Sequence, residues 1–363
     1  MPRIACTFFC ALTVVQALLI QKPLRTDAVT GFIGSATCAW CHKAQAEKQS
    51  ASSMARAAFR PQLHPLFDRF RNQEARTATV KFSFLWKDEQ FQFVVSQRDG
   101  ESRFPVQWAF GSGRHAVTFV SKMGGGAYLE SRVSYYPEIG RLDFTPGRDS
   151  TEFGSLEQAA GHINERAESF RCISCHTTGS RMDPGEQEIV LGELGVRCEA
   201  CHGPGLAHFE AVKRGDRDRA AKAVGSFKGD SAEEVLRLCG KCHREPPQDS
   251  SRVDWKDPAN TRFQPVGLSQ SRCFKQGRLS CTTCHDPHTD ARRADPRFYA
   301  SICASCHNRS KNPPAGLCLA ETPGGCVSCH MPRVPAMRAI VFTNHWIGVY
   351  PSADKLVPRQ RTR

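Results

Sequence analysis

The pentapeptide Cys198-Glu199-Ala200-Cys201-His202 decides how this chain is read. Its form recurs at Cys38/Cys41/His42, Cys172/Cys175/His176, Cys239/Cys242/His243, Cys281/Cys284/His285, Cys303/Cys306/His307 and Cys326/Cys329/His330. Fourteen of the eighteen cysteines in the 363 residues stand in these seven motifs, and every Cys-x-x-Cys carries the histidine. From this composition chance would supply roughly 0.03 such pentapeptides, so the repetition reflects one chemical requirement. Two thiols three positions apart can form thioethers with the two vinyl groups of a haem, while the adjacent imidazole reaches the iron as proximal ligand. Zinc ribbons also pair cysteines, but tetrahedral zinc gives no reason for a histidine after every pair. A redox dithiol would account for one motif beside a βαβ pattern, and a disulfide framework would leave the histidines unexplained. The spacing therefore implies seven covalently bound haem c groups.

Arg3 precedes an uncharged, largely apolar run from Ile4 to Ile20, the length of an export signal. Residues 1–28 are expected to be a signal peptide, or else a short N-terminal anchor that would give the chain its membrane contact. Cys6 and Cys10 fall inside that run, leaving Cys273 and Cys318 outside the motifs, as a disulfide or as buried unpaired thiols. The formal charge of +13 raises the question of nucleic-acid binding. Removing residues 1–28 takes away three basic residues and one acidic, giving +11, and fourteen haem propionates would bring this to −3. The basic balance thus fits a protein holding its own propionates, and no recognition motif points to nucleic acid.

The first motif stands alone. Its Cys38 lies 134 residues before Cys172, whereas later motifs start 26, 41, 42, 22 and 23 residues apart. In the long gap Val80, Phe82, Phe84 and Trp86 alternate, Phe91, Phe93 and Val95 answer them, and Lys87 to Gln90 form a polar turn. Val106/Trp108/Phe110, Val117/Phe119 and Val133/Tyr135 continue the pattern between glycine-rich turns at 111–113 and 124–126. A small antiparallel β insertion is expected over 77–147, between a first haem segment at 29–76 and a six-haem region at 148–349. Helices are expected over Leu156–Ala167, Leu206–Arg214 and Ala232–Leu238. The basic tail, 350–363, has no periodicity and should fray. The fold class expected is a mostly α and irregular multihaem cytochrome c fold organised around haems, whose faces supply much of the apolar interior.

Beyond the seven proximal histidines stand His64, His115, His162, His208, His288 and His345, six candidates for the far side of seven irons. Met54, thirteen residues after Cys41, is the preferred seventh ligand, capping the first haem and raising its potential; packing beside Phe59 is its bland alternative. Met331 reads as packing.

These motifs resemble the multihaem cytochromes with doubled Cys-x-x-Cys-His repeats, related to the tetrahaem cytochromes and octahaem oxidoreductases of bacterial nitrogen metabolism. The likeness runs through Phe32-Ile33-Gly34-Ser35, Gly111-Ser112-Gly113-Arg114-His115, Cys198 to Gly205, Cys281-Thr282-Thr283-Cys284-His285-Asp286-Pro287-His288 and Cys329-His330-Met331-Pro332. It implies distal-ligand roles for His208 and His288. Many relatives carry a histidine where Ser53 stands here, which bears on the first haem's ligation. No lysine replaces a motif histidine, so the lysine-ligated active haem of similar pentahaem nitrite reductases is missing. The expected function is electron transfer in the periplasm or outside the cell, with redox partners such as other multihaem cytochromes or a membrane quinol dehydrogenase. The competing expectation is an oxidoreductase acting on a small nitrogen or sulfur oxyanion, or on peroxide, at one open haem.

Overall fold

A computed structural model describes residues 30–227, 229–307, 325–351 and 354–359. The leader or anchor expected at 1–28, with Cys6 and Cys10, lies outside the described residues, as do Cys318 and positions 360–363.

Nine antiparallel strands form one sheet: β1 (Ala58–Phe59), β2 (Glu74–Arg76), β3 (Lys81–Lys87), β4 (Gln90–Gln97), β5 (Gly100–Phe110), β6 (Val117–Gly124), β7 (Ala127–Tyr136), β8 (Arg141–Phe144) and β9 (Gly161–Asn164). From β2 to β8 the order follows the sequence, and β2 approaches β8, so the sheet nearly closes into a barrel. The alternation sets the register: Phe82 pairs with Val95, Phe84 with Phe93 and Trp86 with Phe91. Asp88 and Glu89 make the two-residue turn, both at positive φ (52° and 57°), the twist that hairpins favour. One face buries Phe70, Phe82, Phe84, Phe91, Phe93 and Phe119. Phe84 stacks 4.8 Å from Phe93 and lies 4.1 Å from Phe119. Beside this cluster the buried Arg132 donates to the carbonyls of Ala159 (2.7 Å) and Arg148 (3.0 Å) and sits 4.4 Å over Phe153.

The mostly α expectation with a small insertion is corrected: about 34% of the described chain is helical and 24% is strand. The helices that carry the motifs are short, from four to twelve residues. The sheet also recruits segments from outside 77–147, as β1 pairs with β5, β2 with β3 and β9 with β7. The helix expected over Leu156–Ala167 stops at Ala160 and becomes β9. Gly161 causes the switch, at φ 153° and so close to β7 that a Cβ would lie 2.0 Å from the Glu130 carbonyl oxygen. The helix over Leu206–Lys213 forms as expected, and the one starting at Ala232 runs on to His243. The tail does not fray throughout: Lys355 and Leu356 accept hydrogen bonds from the buried Asn344 amide (3.0 Å each), and Arg359 N–H reaches Val349 O (2.8 Å).

Where the motifs lie, side chains alone build little core. The helices Cys281–Cys284, Pro296–Cys306 and Gly325–His330 bury no residue. Two motif helices do bury apolar side chains: Arg166–His176 seats Ile173 among Trp108, Phe110, Val120 and Tyr128 of the sheet, and Ala232–His243 packs Leu236 with Leu268 and Phe274.

Candidate functional site

Each motif occupies a helical turn, which brings residues three apart onto one face. Both sulfurs of a motif therefore face one way, with the histidine at or just past the helix end. The fifteen described cysteines are free. Thiols of different motifs meet: Cys38 lies against Cys198, Cys175 against Cys242, Cys239 against Cys281, and Cys303 against Cys326. Sharing a proton with Cys38 pulls the Cys198 thiol down to about 7, and contact with Cys242 pulls Cys175 down to about 6. Cys273, half-buried, has its thiol pushed up by burial; its expected alternative partner, Cys318, lies outside the described residues.

The imidazoles divide into two kinds by what holds their Nδ1. In the motifs, Nδ1 of His176 donates to Ala57 O (2.8 Å), that of His202 to Gly225 O (2.8 Å), that of His243 to Gln264 Oε1 (3.2 Å) and that of His330 to Gly348 O (2.9 Å). Outside them, His208 donates to Ala220 O (2.8 Å), His288 to Asp286 Oδ1 (2.9 Å) and His345 to Thr343 O (2.9 Å). An acceptor at Nδ1 fixes the tautomer and leaves the Nε2 lone pair free, the arrangement found around metal-bound histidines. Burial also keeps several of these rings neutral, as ligation requires: it lowers His176, His243 and His285, and it takes His345 down to about 4.

His42, His285 and His307 have no such acceptor among the described residues, and His307 differs from the other two in having no facing histidine. Expected as the proximal ligand of the sixth motif, it is exposed at the end of the helix Pro296–Cys306, where its backbone N–H bonds Cys303 O (2.9 Å). Among the described residues neither a hydrogen-bond acceptor nor a facing histidine meets its ring. That helix buries no residue, and positions 308–324 lie outside the described residues. The expectation of a proximal ligand at His307 rests on its spacing from Cys303 and Cys306.

His64 has the opposite tautomer. Its Nδ1 accepts from Leu66 N–H (3.0 Å) and its Nε2 donates to Gly111 O (3.1 Å), with the ring packed against Phe59 and Phe70. Both nitrogens are engaged by backbone, so the sequence-based expectation of a sixth ligand at His64 gives way to a structural role.

Three of the other spare histidines stand opposite motif histidines. Ring centres lie 6.2 Å apart for His42 and His208, and 6.4 Å apart both for His202 and His288 and for His285 and His345. Two imidazoles sharing one metal ion, each with a nitrogen about 2 Å from it, have ring centres roughly 6 Å apart. The residues present thus fit a haem iron between each pair. Met54 does not hold the expected place over the first motif, because His208 stands there. Leu206 N–H bonds Gly31 O (3.0 Å) and so carries the His208 helix to the first motif across the sequence gap. Nor is that motif isolated, since Cys38 touches Cys198. His115 is half-buried against Phe342 (5.2 Å), its ring lowered by burial and by Arg293 and Arg114. His162 lies on β9, its Nε2 4.0 Å from Glu168. Neither forms such a pair among the described residues. There too, no group of three or more His, Cys, Asp or Glu side chains converges on a bare-ion site, and no helix is long and apolar enough to cross a membrane.

Sequence reasoning missed two acidic residues. Glu199, inside the third motif, accepts backbone N–H bonds from Ile33 (3.0 Å), Gly34 (2.8 Å) and Gly205 (2.7 Å). Glu193 accepts from Ser35 N–H (3.0 Å) and from the Ser35 hydroxyl. The available signal was slight: Glu199 is the one acidic residue within any of the seven motifs.

Residues 148–203 match the family model of cytochrome c554 and c-prime. The multiheme cytochrome MtrA of Shewanella baltica (strain OS185) is 27% identical over a 187-residue alignment covering 39% of this chain and 53% of the relative. The chain thus spans about half the length of that curated relative. The crystal structure of the outer cell wall cytochrome OcwA shares the fold, with a TM-score of 0.52 and 14% identity over 88% of this chain and 80% of that one. With the repeated motifs and the paired imidazoles, these likenesses define the chain as a multihaem c-type cytochrome.

Proposed function

We propose that this chain is an electron-transfer protein carrying seven haem c groups, exported to the periplasm or the cell exterior. Each motif supplies two thioether sulfurs and a proximal histidine, and His208, His288 and His345 are the sixth ligands for the motifs of His42, His202 and His285. At the sixth motif, attachment through Cys303 and Cys306 is what brings His307 to its iron. His115 and His162 serve two further motifs. A bound haem supplies a one-electron iron couple, whose potential the axial ligands and surrounding charge tune.

The observation that carries the reading is contiguity. The helix Ser35–Cys38 packs on Cys198–His202, Ala232–His243 on Cys281–Cys284, that helix on Pro296–Cys306, and the last on Gly325–His330. Cys201 neighbours Cys239 and Cys242, joining the third motif to the fourth, and Cys175 touches Cys242. The motifs therefore run first, third, fourth, fifth, sixth, seventh in space, with the second branching from the fourth. Such a continuous path suits passage and storage of electrons between redox partners, for which other multihaem cytochromes or a membrane quinol dehydrogenase are the proposed class.

One observation favours keeping a second reading. Of thirteen histidines, seven stand in motifs and His64 is engaged at both nitrogens, which leaves five. The chain thus offers a second histidine to at most five of the seven irons, and an iron without one could bind a small oxyanion or peroxide. Magnetic circular dichroism of the oxidised protein counts the open, high-spin haems, and a turnover assay at them separates the two. The carrier reading expects no turnover of nitrite, hydroxylamine, sulfur oxyanion or peroxide, whatever the spin count; turnover at an open, high-spin haem would replace it with the oxidoreductase.

A further inference from the structure

The junction of the first and third motifs holds a charge that no cation among the described residues offsets. Glu199 is 5% exposed, and all three donors to its carboxylate are neutral backbone amides. Two of them, at Ile33 and Gly34, open the turn into the helix that ends at Cys38, whose sulfur lies 3.6 Å from Gly34 O. The third, at Gly205, belongs to the turn that leads into the His208 helix. The same carboxylate is placed by Cys198 and Cys201, so it touches the supports of both motifs and of the imidazole facing His42. Glu193 adds a second carboxylate at Ser35, but Arg197 stands 3.9 Å from it and shares its field.

We propose that Glu199 is a positioning residue that locks the first motif onto the third and, as a buried negative charge, holds the potentials of the haems at these two motifs below what their bis-histidine ligation alone would set. This rests on the proposal that both motifs carry haem. The chemistry is that of charge near a redox centre. A ferric haem carries one more positive charge than a ferrous one, so a fixed anion in a poorly solvated junction favours the oxidised state. Three amide bonds satisfy the carboxylate without neutralising it, which lets it be buried and still exert its field. The pair is then the part of the chain from which an electron leaves most readily toward the remaining motifs.

The test is potentiometric titration of the full, haem-loaded chain with Glu199→Gln, followed in the Soret and α bands. Two of the seven transitions should shift to higher potential while the others stay. Ser35→Ala, which removes a hydrogen bond from the same junction without removing charge, should move none. If Glu199→Gln loads haem incompletely, Glu193→Gln should move the same two transitions upward by a smaller amount. A variant with full haem content and unmoved potentials, or with all seven shifted alike, overturns the proposal. Fewer than seven haems in the parent would instead count against the function proposed above.

Discussion

Replacing His208 by alanine removes the imidazole that stands 6.2 Å from the His42 ring, and the structure sets the size of the response. That imidazole is tied to the fold by the hydrogen bond from Nδ1 to Ala220 O, so its loss costs about 1 kcal/mol and leaves the fold intact. The helix Leu206–Lys213 stays anchored through Leu206 N–H to Gly31 O. One iron per chain loses its sixth ligand. The oxidised variant should therefore gain one equivalent of high-spin haem over the parent, and the reduced variant should bind one more equivalent of carbon monoxide. Added imidazole should reverse both. Met54→Ala, which the sequence alone would pick for this effect, should leave both quantities at parental values. A gain of high-spin haem in Met54→Ala and none in His208→Ala would refute the pairing drawn from the ring geometry.

Phe84→Ala should cost about 3–5 kcal/mol, because the ring is fully buried among Phe91, Phe93 and Phe119 and the nearly closed sheet cannot collapse around the space. Hydrogen exchange in β3 to β6 would report it, and a loss below about 1 kcal/mol would contradict a side-chain core there. Asp290 receives Ser53 N–H (2.7 Å), the Ser53 hydroxyl (3.0 Å) and Arg114 (2.7 Å); burial alone would raise its carboxyl, but these donors outweigh it and hold it low. A depressed folded value stabilises above the unfolded value of about 3.9 and is lost as pH falls through the folded one. Asp290→Asn should thus loosen the Ser53 amide in hydrogen exchange at pH 7 and match the parent at low pH, and equal exchange at both would exclude the role.

The hairpin of β3 and β4 was legible because Phe82, Phe84, Phe91 and Phe93 alternate over a local turn. The strands β1, β2 and β9 were not, being two to four residues long, with β1 and β9 paired to segments thirty or more residues away. Position 161 reads as the middle of a helix until β7 is seen to press against it. At the site, the cysteines and motif histidines follow from spacing alone. What faces them does not. Met54 is near Cys41 in sequence, yet the residue opposite His42 comes from 166 positions further on. His64 and His208 look alike in sequence, and only the backbone groups at Leu66, Gly111 and Ala220 reveal which keeps a nitrogen for iron. Nor does the pentapeptide distinguish His307 from His176, although one ring is exposed and the other is held by Ala57 O against Phe110.

Counting haem tests whether all seven motifs carry one. A pyridine haemochrome assay on the mature chain, set against its protein concentration and intact mass, should give seven haem c per chain that resist acid–acetone extraction. Fewer than six per fully matured chain, or haem that extracts freely, would contradict the reading of the seven motifs on which the account stands.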